Sequence, residues 1–211
     1  MTRIPYHHEN LKTEMLKKGL QLLNEAGYEG FSLRKLAASC NVSHAAPYRH
    51  FKNKEDLIEA ICKDISDDMM NTILEVTNRF RDDPRARLME ISKAFVRLMV
   101  ENPDYFRFVF MTKHERMIAF TGDKIVFEAK EHPFGFYKDC AQEYLEKLCG
   151  NHWMEVFLEI WSLIQGFTLL LVNETIEYKG DYLSFTNKML SSIFERIESR
   201  YPLESVDEAQ S

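Results

Sequence analysis

The chain has few of the features that mark several protein classes. Its 211 residues hold only eight glycines, six prolines and two tryptophans, with no low-complexity tract and no internal repeat. That is the make-up of an ordinary globular chain, long enough for one generous domain or two modest ones. The four cysteines, Cys40, Cys62, Cys140 and Cys149, lie far apart and form no Cys-x-x-Cys pair, which predicts reduced thiols and a cytoplasmic setting. The longest nearly uncharged run, Ile160 to Val172, has 13 residues and is too short to span a bilayer, so it reads as a buried helix and no membrane is expected. No charged segment followed by an apolar run opens the sequence, so no secretory signal is expected.

The motifs of catalysis are missing as well. The sequence has no glycine-rich phosphate loop, no nucleophile elbow and no His-Glu-x-x-His. His114-Glu115 and His7-His8-Glu9 are isolated clusters of the kind usually found in solvent. The reading is therefore of a protein that is not an enzyme and needs no cofactor or metal. A metal- or redox-responsive protein using Cys and His stays open as an alternative. Against it, Cys140 and Cys149 stand nine apart on what reads as one helix and do not face a single ion.

One local absence is informative. The chain carries 27 Lys+Arg against 33 Asp+Glu, net −6, yet Phe31 to Lys54 contains Arg34, Lys35, Arg49, Lys52 and Lys54 and no acid. Clustered cations on an acidic protein suit a polyanion, because phosphate neutralisation depends on local and not on net charge.

Apolar residues at helical spacing account for nearly everything that is present, and no convincing strand is expected. Leu11, Met15, Gly19, Leu22 and Ala26 repeat before a stop at Gly27. Ser32 caps a short second helix and Asn41 takes a sharp turn in the left-handed conformation. Ser43 then caps a third helix ending at Phe51. Asn53 caps a long helix on which Leu57, Ile61, Ile65, Met69 and Ile73 recur every fourth residue. Two short helices around a tight turn, braced by longer ones, make a helix-turn-helix. Asp83-Pro84, Asn102-Pro103, His132-Pro133, Gly150-Asn151 and Gly180-Asp181 punctuate further helices, and residues 204–211 form a polar tail expected to fray. The fold class is all-α: a helix-turn-helix domain over 1–53, a linking helix over 54–80, and a second helical domain over 81–203.

The stretch VSHAAPYRHF, residues 42–51, carries the functional reading. His44, Ala45 and Ala46 are slim enough to enter a groove, and an alanine methyl can meet a thymine methyl. Pro47 stiffens the first turn, Tyr48 and His50 offer polar tips, and Phe51 anchors the segment inward. Gly27-Tyr28, Val42-Ser43, Tyr48-Arg49-His50-Phe51 and Lys54-Glu55-Asp56-Leu57 together resemble the DNA-binding domain of TetR-family transcriptional regulators over about fifty residues. Asn41 departs from the glycine usual in that family.

The resemblance implies a homodimer that binds double-stranded operator DNA, most often as a repressor, under the control of a small-molecule effector. It implies phosphate contacts from Ser32, Arg34, Tyr48, His50 and Lys54, and a groove-facing edge made by His44, Ala45 and Ala46, with Ser43 counted among the DNA-binding residues. It places the dimer on the last two long helices, roughly 151–176 and 181–200. Trp161-Ser-Leu-Ile-Gln165-Gly166 is similar to the Trp-x-x-x-His-Gly element of one TetR subgroup, with Gln165 in place of the histidine. Phe106, Phe110, Met111, Met117, Phe120 and Phe136, with Trp161 and Gln165, are candidates to line an apolar effector cavity. The same aromatic and Met residues at helical spacing also describe a core.

Overall fold

The computed structural model of the chain describes residues 8–111, 118–121, 124–127 and 133–202. Eight α-helices run in order: α1 (His8–Gly30), α2 (Leu33–Ser39), α3 (Lys54–Arg79), α4 (Pro84–Glu101), α5 (Pro103–Phe106), α6 (Pro133–Cys149), α7 (Trp153–Val172) and α8 (Tyr182–Arg200). The all-α class holds for the fold, with one correction to the expectation of no strand. Ile118–Thr121 and Lys124–Phe127 pair as an antiparallel hairpin, β1 and β2, with Thr121 opposite Lys124. The two residues between them in sequence are Gly122-Asp123. Met117, the Phe120 side chain, His114-Glu115, the side chains of His7-His8-Glu9 and the 204–211 tail lie outside the described residues.

The chain forms two compact units, 1–68 with 102–114, and 69–101 with 115–211. In the first, α1 packs close to α3 at Gly19, where an added Cβ would stand 3.1 Å from Leu57 Cδ2 and 3.3 Å from Ile61 Cδ1. The stripe predicted on α3 is the buried one, since Leu57, Ile61 and Ile65 are all at most 2% exposed. Met15, Leu36, Ala37 and Phe51 complete this core. Each fully buried side chain of that size contributes about 1.5–3 kcal/mol. The chain returns to the same unit at 102–111: α5 and the π-helical turn Arg107–Met111 pack on α1, with Phe106 and Phe108 buried. Asn24 Nδ2 donates to the Asp104 carbonyl at 3.0 Å, and the Tyr105 hydroxyl donates to Asp68 at 2.9 Å.

In the second unit α4, α6, α7 and α8 enclose Leu88, Ile91, Leu145, Val156, Phe157, Ile160 and Phe194. The Pro133–Val172 stretch is apolar enough, by composition, to cross a membrane, but α7 turns Val156, Phe157, Ile160, Ile164 and Phe167 into this core. Its last turn and the start of α8 leave Leu169, Leu170 and Phe185 exposed. The helix ends follow the punctuation. Asp83 Oδ1 accepts the Ala86 N–H at 2.9 Å, and Asp181 Oδ1 accepts those of Leu183 and Ser184 at 3.0 and 3.2 Å. Gly150 ends α6 at φ 55°.

Candidate nucleic-acid interface

The turn between α2 and the segment after it is built by hydrogen bonds that the sequence only hints at. Ser32 Oγ accepts the Lys35 N–H at 3.2 Å and starts α2. At the other end Asn41 adopts φ 55°. Its N–H reaches the Ala38 carbonyl at 3.1 Å, while the Val42 N–H reaches that of Ala37 at 3.0 Å. This pair of bonds is the Schellman closure, which satisfies two helix-end carbonyls and reverses the chain within three residues.

The segment that follows corrects one expectation. Ser43 does not cap a helix running to Phe51. The Ala46 N–H bonds to the Ser43 carbonyl at 2.9 Å in a turn, and a single 3-10 turn, Pro47–Arg49, comes after it. Proline explains the shortening. Pro47 supplies no N–H, its ring fixes φ, and it therefore opens the helical turn at the first position. Pro47 is buried, and its carbonyl accepts the N–H groups of both His50 and Phe51. Phe51, at 2% exposure, pins the end of the segment into the core.

The described positions of the candidate residues separate into an exposed edge and its supports. Arg34, Ser43, His44, Ala45 and Tyr48 are exposed, with Tyr48 at 55%; Ser32, Ala46, His50 and Lys54 are half-buried. Arg49 and Lys52 are exposed on the same acid-free stretch. A tyrosine left that open keeps its hydroxyl accessible to solvent. The start of α3 is fixed by two crossed bonds. Asn53 Oδ1 accepts the Asp56 N–H at 2.8 Å, and Asp56 Oδ2 accepts the Lys52 N–H at 2.7 Å. Lys54 is thereby set at the positive end of a 26-residue helix dipole.

Tyr28 is a residue that the sequence reading quoted without giving it a role. The Lys54 ammonium stands 3.5 Å from the centre of its ring and donates to its main-chain carbonyl at 2.7 Å. The Tyr28 hydroxyl donates to Glu55 Oε1 at 2.6 Å. That bond raises the pKa of the phenol and lowers that of the carboxyl.

The proposed effector residues are spread over both units. Phe106, Phe110 and Met111 belong to the first, where the rings of Phe106 and Phe110 are 5.0 Å apart and Phe110 and Met111 are exposed. Phe136, Trp161 and Gln165 belong to the second. There the Trp161 ring lies 4.6 Å from Phe134, 5.4 Å from Phe95 and 5.6 Å from Tyr137, and Phe136 is exposed. Gln165 Oε1 is buried without a hydrogen-bond partner among the described residues. Burial pushes up the pKa of all four thiols, Cys40, Cys62, Cys140 and Cys149. A raised thiol holds its proton at neutral pH, the opposite of what redox sensing requires. Among the described residues no three His, Cys, Asp or Glu side chains gather as a metal site.

A helix-turn-helix with an exposed, acid-free edge defines a nucleic-acid-binding class. Residues 15–61 match the model of "Bacterial regulatory proteins, tetR family". Over 69 residues it is 38% identical to the tetracycline repressor protein class C of Escherichia coli, covering 33% of this chain and 29% of that one. The chain thus spans about a third or less of the length of the first curated relatives it matches. The fold resembles a transcriptional regulator structure from Pseudomonas aeruginosa PAO1, with TM-score 0.65 and 15% identity over 93% of this chain and 96% of that one. It also resembles FadR from Bacillus subtilis in complex with stearoyl-CoA, with TM-score 0.59 and 15% identity over 86% and 96%.

Proposed function

We propose that the protein is a transcriptional regulator that binds a palindromic operator as a homodimer and acts through binding, without turnover, in the cytoplasm. The observation that carries the reading is the edge from Arg34 to Lys54: five cations, no acid, and Tyr48 left 55% exposed at its centre. Ser32, Arg34, Tyr48, His50 and Lys54 take phosphates, and Ser43, His44, Ala45 and Ala46 face base edges. In this reading residues 1–53 are the reading domain, braced by 102–111, residues 54–80 are the linking helix, and the rest of 81–203 is the regulatory part. Exposed Leu169, Leu170 and Phe185 on α7 and α8 meet a second copy.

Selection of bound duplexes from a random pool gives the operator, whose half-sites should lie about 34–36 Å apart. On that operator Tyr48→Ala and Lys54→Ala should weaken binding to matched and mismatched sites alike. Each should lower the salt slope by about one phosphate contact per domain. Unchanged affinity and slope in both variants would remove the phosphate assignment.

The effector in this reading is apolar or amphipathic with one hydrogen-bond donor. Trp161 supplies an aromatic wall, and the unpaired Gln165 carbonyl can accept one bond. Such a ligand acts only if it prefers one state of the protein, so operator DNA must change its affinity by the same factor that it changes the operator's. Equal ligand affinity with and without operator would exclude this control.

A further inference from the structure

We infer that Tyr28 is a positioning residue for DNA binding: it holds the Lys54 ammonium in place before the phosphate arrives and ties down the neighbouring acid. The inference rests on the DNA-binding reading above. Gly27 takes φ 67° and ψ 177°, a conformation that kinks α1 immediately before Tyr28. The ring and the carbonyl of Tyr28 then both engage the same Lys54 nitrogen, at 3.5 Å to the ring centre and 2.7 Å to the oxygen. An ammonium has three N–H donors. The carbonyl takes one and the ring face a second, which leaves one for a phosphate oxygen.

A lysine on a free four-carbon stem loses rotamer freedom when it is fixed. Here that cost is met within the fold, before binding. The hydroxyl adds a second service. Glu55 is the one carboxylate beside Lys54 in sequence, and the 2.6 Å bond from Tyr28 Oη holds it. Held there, it does not compete with phosphate for the ammonium. Tyr28 is 46% exposed, so packing alone does not account for a large ring at this position.

The test uses the full-length protein and a fluorescent 30-base-pair duplex of mixed sequence, titrated over a salt series. Binding should fall about three- to fivefold for Tyr28→Leu, the size of an exposed cation–π contact, and its salt slope should move toward that of Lys54→Ala. Tyr28→Phe keeps the ring and should stay within about twofold of the wild type. In a Lys54→Ala background Tyr28→Leu should have no further effect. Thermal midpoints should match the wild type, because a purely structural role would lower them and leave the slope unchanged. The proposal is overturned if Tyr28→Leu binds like the wild type while Lys54→Ala is weakened, or if the two substitutions add in full. Failure of the wild-type protein to bind the duplex, or a Lys54→Ala protein that binds normally, removes the DNA or phosphate reading itself and this proposal with it.

Discussion

Asn41 concentrates the demands of the helix-turn-helix on one backbone angle. At φ 55° a side chain with a Cβ costs roughly 1–2 kcal/mol, which asparagine eases by local hydrogen bonding and glycine avoids. Asn41→Gly should therefore leave the thermal midpoint unchanged or raise it. Asn41→Val, β-branched, should lower stability by about 1–2 kcal/mol in urea unfolding; a neutral valine would disprove the strain argument. This residue was legible in advance, because few side chains suit the left-handed region. The segment from Ser43 to Phe51 was less so. Ser and Pro each mark the start of a helical turn, and the buried Pro47 ring decided in favour of the later one. Tyr28 escaped notice for another reason: its partners Lys54 and Glu55 are 26 and 27 residues away, beyond any local pattern.

Among the elements, α4, α6 and α8 are joined by a polar tie on the edge of an apolar core. Arg85 Nε donates to Glu198 Oε1 at 2.5 Å, and the Tyr144 hydroxyl donates to the same oxygen at 2.7 Å. Burial works to raise the Glu198 pKa, but the bonds from Arg85 and Tyr144, with the charge of Arg85, together outweigh it and hold the carboxyl below its ordinary value. A carboxyl with a lowered folded pKa contributes stability that is present above its unfolded pKa of about 4.3, and this is lost as pH falls through the folded value. Between about pH 5 and pH 3 the wild type should lose stability more steeply than Glu198→Gln in urea titrations. Parallel curves would show that the tie carries no pH dependence. Helix existence and caps along this part of the chain could be read from Asp83-Pro84 and Gly180-Asp181. The hairpin was missed although two short apolar runs around Gly122-Asp123 carry its signal, because the same Gly-Asp pair also suits a helix break.

For the whole molecule, association is the property that the described surface most directly calls for. Leu169, Leu170 and Phe185 are each between 37% and 39% exposed at one end of α7 and α8, beside the Phe167–Phe185 ring pair at 5.4 Å. Light scattering at micromolar concentration should give twice the 24.9 kDa chain mass. Leu170→Glu with Phe185→Glu should shift the protein toward monomer and weaken operator binding while leaving each reading domain folded. A wild-type monomer under those conditions would refute the dimer.

The return of residues 102–111 to the first unit sets a timetable for synthesis. Phe106 and Phe108 close onto α1, and Asn24 and Asp68 find their partners at Asp104 and Tyr105. A ribosome that has made α1, α2 and α3 has therefore not yet made the whole reading unit. All of α4, which belongs to the other unit, must emerge first. The nascent chain completes its first unit only after the second has begun, so no ribosome releases the first unit finished while the second is still unmade.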